Sequence, residues 1–226
     1  MAHVDIEYWS DPLCIWAYVA QPKLERVLDE WGREVRVTYH VVPVFGSVVQ
    51  RFRDGKWAAA GPRGRAETTK RVAKNHGFDV SGACWVEDCP TTSWAAGAAL
   101  KAVFAMEAAG QIPPGRGAKY QLQMRRRFFD ENQNVARRAV QLELAEALEI
   151  PRGPLAQRLD DGSALAALFE DHERRQRVGI QGSPTYVFDG GRAMLYGNFS
   201  EDVLHATVSE LVRGLHPEAI APGTKC

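Results

Sequence analysis

The chain has 226 residues, and its 28 Lys and Arg are balanced by 28 Asp and Glu, so the formal net charge is zero at pH 7. That balance removes any bulk electrostatic draw toward nucleic acid or an anionic membrane surface, and neither is expected as a partner. Apolar residues make up 45% and charged residues 25%, the mix of a soluble globular protein, and no apolar run is long enough to span a bilayer.

Val4, Ile6 and Tyr8 alternate with Asp5 and Glu7, which predicts a strand, and Ser10-Asp11-Pro12 breaks it. Residues 17–31 read as a helix with Leu24, Val27, Leu28 and Trp31 on one face, Pro22 as a kink and Gly32 as its stop. Alternation returns over 35–41 and predicts a second strand closed by Pro43. Residues 51–65, rich in Gly, Arg and Ala, read as loop with weak helix.

The middle of the chain then reads as mostly helical. Helices are expected over 66–76, over 93–109 with Thr92 as cap, over 118–131, from Asn134 to residue 148, around 155–159, and over 163–178 on a core side of Leu165, Leu168 and Phe169. The Arg125-Arg126-Arg127 run reads as a solvated helix face. Residues 185–188 and 192–196 read as a hairpin around Asp189-Gly190-Gly191, and Ser200 caps a last helix over 201–213. The order is strand, helix, strand, a long helical segment, hairpin, helix. A connection that long cannot be a loop in a compact domain, so it is expected to be an inserted helical subdomain.

Cys14 stands just before the first helix. The unpaired N–H groups and dipole of a helix start favour an anion, so its pKa is expected below the free-cysteine value of about 8.5. Position alone leaves open a small buried core thiol. Gly182-Ser183-Pro184-Thr185, entering the hairpin, is a place for a cis proline that would expose the Ser183 backbone to an extended thiol-bearing chain.

Together, Asp11-Pro12-Leu13-Cys14-Ile15-Trp16-Ala17 and Gly182-Ser183-Pro184-Thr185 resemble the two signatures of the DsbA-like thioredoxin superfamily. That superfamily also holds the 2-hydroxychromene-2-carboxylate isomerases and the kappa-class glutathione transferases. Pro22 matches the proline of the thioredoxin active-site helix. The resemblance implies an α/β thioredoxin fold formed by residues 1–50 and 179–215, a helical insertion over 51–178, and a flexible tail over 216–226. It also implies Cys14 as the nucleophile, with Pro12, Trp16, Ser183, Pro184 and Asn198 near a bound thiol or glutathione.

The departures narrow the chemistry. Ala17 stands where dithiol members carry a second cysteine, and Tyr8 where they often hold a buried acid. The expected function is a thiol–disulfide oxidoreductase with a single active-site cysteine, resolved by an external thiol. The alternatives are a glutathione-dependent isomerase or transferase acting on a small electrophilic or aromatic substrate, and a noncatalytic binding protein. Cys84 and Cys89 read as locally packed thiols, with a disulfide, a metal site or resolution of Cys14 as alternatives, and Cys226 as an exposed terminal thiol. No metal or nucleotide cofactor is expected; glutathione is the candidate small-molecule partner. Four cysteines and an N-terminus without the basic-then-apolar pattern of a secretory signal point to a reducing cytoplasm, and relatives often form homodimers.

Overall fold

The computed structural model describes residues 3–214. The tail expected over 216–226, with Cys226, lies outside the described residues. Strands β1 (Val4–Ser10), β2 (Val35–Val41), β3 (Thr185–Phe188) and β4 (Ala193–Tyr196) form one sheet in the order β2-β1-β3-β4. β1 pairs in parallel with β2, whereas β3 is antiparallel to both β1 and β4. Helix α1 (Ile15–Trp31) makes the crossover between the parallel strands and runs through Pro22 as one element. It stops at Gly32, whose φ of +50° suits glycine and whose N–H bonds to the Leu28 carbonyl.

Between β2 and β3 lie α2 (Val48–Arg53), α3 (Gly61–Asn75), α4 (Trp94–Ala108), α5 (Arg116–Phe129), α6 (Arg138–Ala147), α7 (Arg152–Asp160) and α8 (Ser163–Val178). The final helix is α9 (Glu201–Gly214). α3 begins five residues before its expected start, because Gly61 and Pro62 open a turn that the Gly/Arg/Ala composition disguises. Asn134 caps a turn by accepting from Ala136 N–H at 3.0 Å, and the helix proper starts at Arg138. Ser93, and not Thr92, holds the N-cap position of α4, while the Thr92 hydroxyl accepts from Trp94 N–H at 3.1 Å.

α1 belongs to two cores. Its second half places Leu24 and Val27 against Val4, Ile6 and Tyr8 of the sheet, with Leu204 and Val208 of α9 beside them. Its first half, Ile15, Tyr18 and Val19, joins the core of the helical segment with Trp85, Leu100, Phe128 and Phe129. The start of α1, and with it Cys14, therefore sits where strands and helices meet. Gly97 of α4 allows a close approach there: a Cβ at that position would lie 3.0 Å from Val41 Cγ1 and 3.4 Å from Leu168.

Two expectations are corrected. Arg125 is fully buried, not solvated. It shares the inner face of α5 with Gln121, Met124 and Phe128, at helical spacing. Its Nη2 donates to Ser10 Oγ at 2.7 Å and its Nη1 to Gln21 Oε1, and its guanidinium lies 5.9 Å from the centre of the Tyr8 ring. α8 turns Ala164, Leu168 and Asp171 inward, a 4-then-3 spacing that leaves Leu165 and Phe169 more than half exposed. Leu168→Ala is therefore expected to cost about 2–5 kcal/mol in urea unfolding, and Phe169→Ala less than about 0.5 kcal/mol. Equal losses would refute this assignment of the α8 face.

Candidate functional site

Cys14 is the N-cap residue of α1, in extended conformation. Its N–H donates to the Asp11 carbonyl at 3.2 Å and its carbonyl accepts from Tyr18 N–H at 3.0 Å, so a tight turn feeds straight into the helix. The thiol points at the loop before β3, where Cys14 Sγ donates to the Ser183 carbonyl at 3.2 Å. The Ser183–Pro184 peptide bond is cis. Ser183 Oγ accepts from Asp11 N–H at 2.9 Å, which leaves the hydroxyl proton free to turn toward the sulfur.

Cys14 is only 5% exposed. Burial pushes its thiol above the ordinary cysteine range and the Asp11 carboxylate adds to that, against the Ser183 hydroxyl and the N–H groups of Ala17 and Trp16. The lowered pKa expected from the helix start is therefore corrected: the helix start supplies its donors, but loss of water outweighs them.

Asp11 is the group that sequence reading passed over as a strand breaker. Its carboxylate is fully buried. Oδ1 accepts from Leu13 N–H at 2.7 Å, and Oδ2 accepts from Val44 N–H and the Ser93 hydroxyl, both at 2.7 Å. Burial pushes its pKa up to about 6 despite these donors. Only the combination of an acid, a following turn and a helix start three residues later could have signalled such a role.

Position 17 holds no sulfur. Ala17 is fully buried, and the Tyr8 hydroxyl donates to its carbonyl at 3.4 Å. Cys84 and Cys89 are free thiols, and burial pushes them up to about 12 and about 11. Among the described residues, no group of three or more His, Cys, Asp or Glu is placed to hold a metal ion.

A cavity of about 380 Å³ opens beside Cys14 between the loop after β2, α3 and residues 181–183; Trp16, Trp57, Ser183 and Tyr196 are among its walls. A smaller one, about 300 Å³, adjoins it between Trp16, Ser183, Tyr196, Gly197 and Asn198. Of the residues expected at the site, Trp16 and Ser183 border both cavities. Asn198 borders the smaller, with its side chain already engaged: Oδ1 accepts from Lys23 Nζ at 2.6 Å and Nδ2 lies 3.2 Å from His76 Nε2. Pro12 and Pro184 are buried and border neither cavity, so both shape the turns without presenting a surface. Sequence reading missed Arg51, Lys56, Arg65 and Arg175, which also line the larger cavity. The only signal for the first three was the Arg-rich composition of residues 51–65, and Arg175 had none.

The family model for the DSBA-like thioredoxin domain matches residues 5–209. The ClpXP adapter protein SpxH of Halalkalibacterium halodurans is 25% identical over 186 residues, covering 82% of this chain. The match spans 58% of that relative's length. Among solved structures, the probable DsbA oxidoreductase of Streptomyces coelicolor superposes with a TM-score of 0.72 at 18% identity, over 99% of this chain and 94% of that one. The cytosolic disulfide reductase DsbM of Pseudomonas aeruginosa, solved with glutathione, gives a TM-score of 0.62 at 22% identity, over 95% and 98%.

Two outcomes follow from the electrostatics. Alkylation of Cys14 by iodoacetamide should keep accelerating beyond about pH 8.5, where free cysteine is half ionised; a plateau below that pH would contradict the burial argument. For Asp11 the folded pKa is raised, so its stabilising contribution is complete below the ordinary carboxylate pKa and is lost as pH rises through about 6. The loss amounts to about 3 kcal/mol at most. Urea unfolding from pH 4 to 7 should show this component in the wild type and not in Asp11→Asn. Parallel stability curves for the two proteins would refute it.

Proposed function

The chain belongs to the DsbA-like thioredoxin domain family, and we propose that within it the protein is a single-cysteine thiol–disulfide oxidoreductase acting through a mixed disulfide at Cys14. The observation that carries this reading is the pairing of Cys14 Sγ with the Ser183 carbonyl at 3.2 Å, at the mouth of a cavity, with alanine at position 17.

In the first step the Cys14 thiolate attacks one sulfur of a disulfide. The Cys14–S bond forms, the old S–S bond breaks, and the departing thiolate takes the bonding electron pair. The Ser183 hydroxyl, held by Asp11 N–H, donates to the sulfur while it is charged. In the second step an external thiolate attacks the mixed disulfide and regenerates Cys14. Glutathione is a fitting external thiol, as the glutathione-bound reductase of the same fold supports, and the reading puts the protein in a reducing cytoplasm. The backbone of Ser183 offers a partner for an extended substrate segment.

A second reading is favoured by the depth of Cys14 and by the relative named as an adapter: a binding protein in which the thiol stays inert. Intact-mass analysis after incubation with oxidised glutathione separates the two. The oxidoreductase reading expects one glutathione adduct in the wild type that is absent from Cys14→Ser. An unmodified native protein whose Cys14 becomes reactive only on unfolding would overturn it in favour of the adapter-like role.

A further inference from the structure

The cavity at Cys14 is walled by charge of one sign. Arg51, Lys56, Arg65 and Arg175 line it, and no Asp or Glu does. Arg51 donates to the Val44 carbonyl, and Arg175 donates through Nε to the Ile180 carbonyl at 2.9 Å. These bonds fix the guanidinium groups without neutralising them. Arg65 is held by rings: its guanidinium lies 4.6 Å from the centre of Trp57 and 4.9 Å from that of Trp85. Its buried Nε has no hydrogen-bond partner. Two cations elsewhere in the fold are treated differently. Lys101 pairs with Asp171 at 2.9 Å, and Arg174, next to Arg175, pairs with Glu7.

Four cations brought together beside a thiol, with no acidic residue among the lining, repel one another and raise the potential of the cavity. An anion entering the cavity relieves that repulsion. The opposite side is different in kind, with the half-exposed rings of Trp16 and Tyr196 and no charged group on the smaller cavity. The asymmetry would orient a ligand, its anionic end toward α2 and α3 and its sulfur toward Cys14.

We infer that Arg51, Lys56, Arg65 and Arg175 form a carboxylate-binding subsite, so that Cys14 exchanges with thiols and disulfides bearing carboxylates in preference to neutral or cationic ones. The exchange step rests on the single-cysteine reading above; the subsite itself does not. In that step the Cys14 thiolate displaces one carboxylate-bearing thiolate from its disulfide and keeps the other in the new S–S bond, so no outside oxidant is required.

Two alkylating agents that share a leaving group and differ in charge test this on the full-length protein. Iodoacetate and iodoacetamide rates at Cys14 are measured by peptide mass, against an unstructured neutral peptide with one cysteine. The iodoacetate-to-iodoacetamide ratio is expected to be about tenfold higher at Cys14 than in the peptide, and to fall toward it at high salt. Lys56→Gln, at an exposed position, and Arg175→Gln should each lower the ratio about two- to fivefold. Arg65→Gln should lower it further if that variant folds. A wild-type ratio equal to that of the peptide, or one unmoved by both Lys56→Gln and Arg175→Gln, overturns the subsite. If neither reagent labels Cys14, the exchange reading fails by itself. Calorimetry with S-methylglutathione, which carries carboxylates and cannot exchange, then decides the subsite: binding weakened by Lys56→Gln supports it, and no binding to the wild type overturns it.

Discussion

One buried carboxylate holds the site together. Asp11 accepts from Leu13 N–H in the turn before α1, from Val44 N–H in the loop after β2, and from the Ser93 hydroxyl at the head of α4. Its own N–H anchors Ser183 on the far side of the thiol. Those contacts join segments far apart in the chain at the point where strand core and helical core meet. Each donor would be costly to leave unsatisfied in that interior, so the carboxylate is kept although burial disfavours its charge. This side chain ties the turn that carries Cys14 to the loop after β2 and the head of α4, and the backbone N–H of the same residue ties in the Ser183 loop.

The electrostatics of Cys14 show two effects of opposite sign and which of them wins. A helix start offers unpaired N–H groups to an anion, and those of Trp16 and Ala17 favour the thiolate. Yet the sulfur has almost no contact with water, and a thiolate there forgoes solvation that a few donors do not replace. Tyr8 and Arg125 extend the theme inward. Arg125 holds its charge in the interior with neutral oxygens, Ser10 Oγ and Gln21 Oε1, as its acceptors. The same economy recurs at Arg65, where rings stand in for a counter-ion.

Much of the fold was legible in the sequence because its signals are local. The alternation of Val4, Ile6 and Tyr8 and that of residues 35–41 predict the two parallel strands, and each is seen. Cys14 and Ser183, each at a boundary between elements, were legible as candidate site residues for the same reason, and the structure brings them into contact. Apart from element boundaries, the failures are matters of tertiary arrangement. Three consecutive arginines on a helix point in three directions, and only the packing partner of α5 shows that the first points inward. Leu165 and Phe169 are as apolar as Leu168, but α8 has one inner face and they lie beside it. The cations at the cavity come from residues 51–65 and from position 175, and no local pattern shows that such distant segments converge.

Ala17, sealed beneath the Tyr8 hydroxyl, has a kinetic consequence. A second cysteine within the same turn would confront the mixed disulfide at a fixed, very high effective concentration and resolve it at a rate set by the protein itself. Under the proposed single-cysteine mechanism, with alanine there, decay of the covalent intermediate would be second order. Its lifetime lengthens as the surrounding thiol pool is drained and shortens as the pool refills. The fraction of molecules carrying a covalent partner would then be a running measure of the reducing capacity around them, a reading that a self-resolving dithiol erases within each turnover.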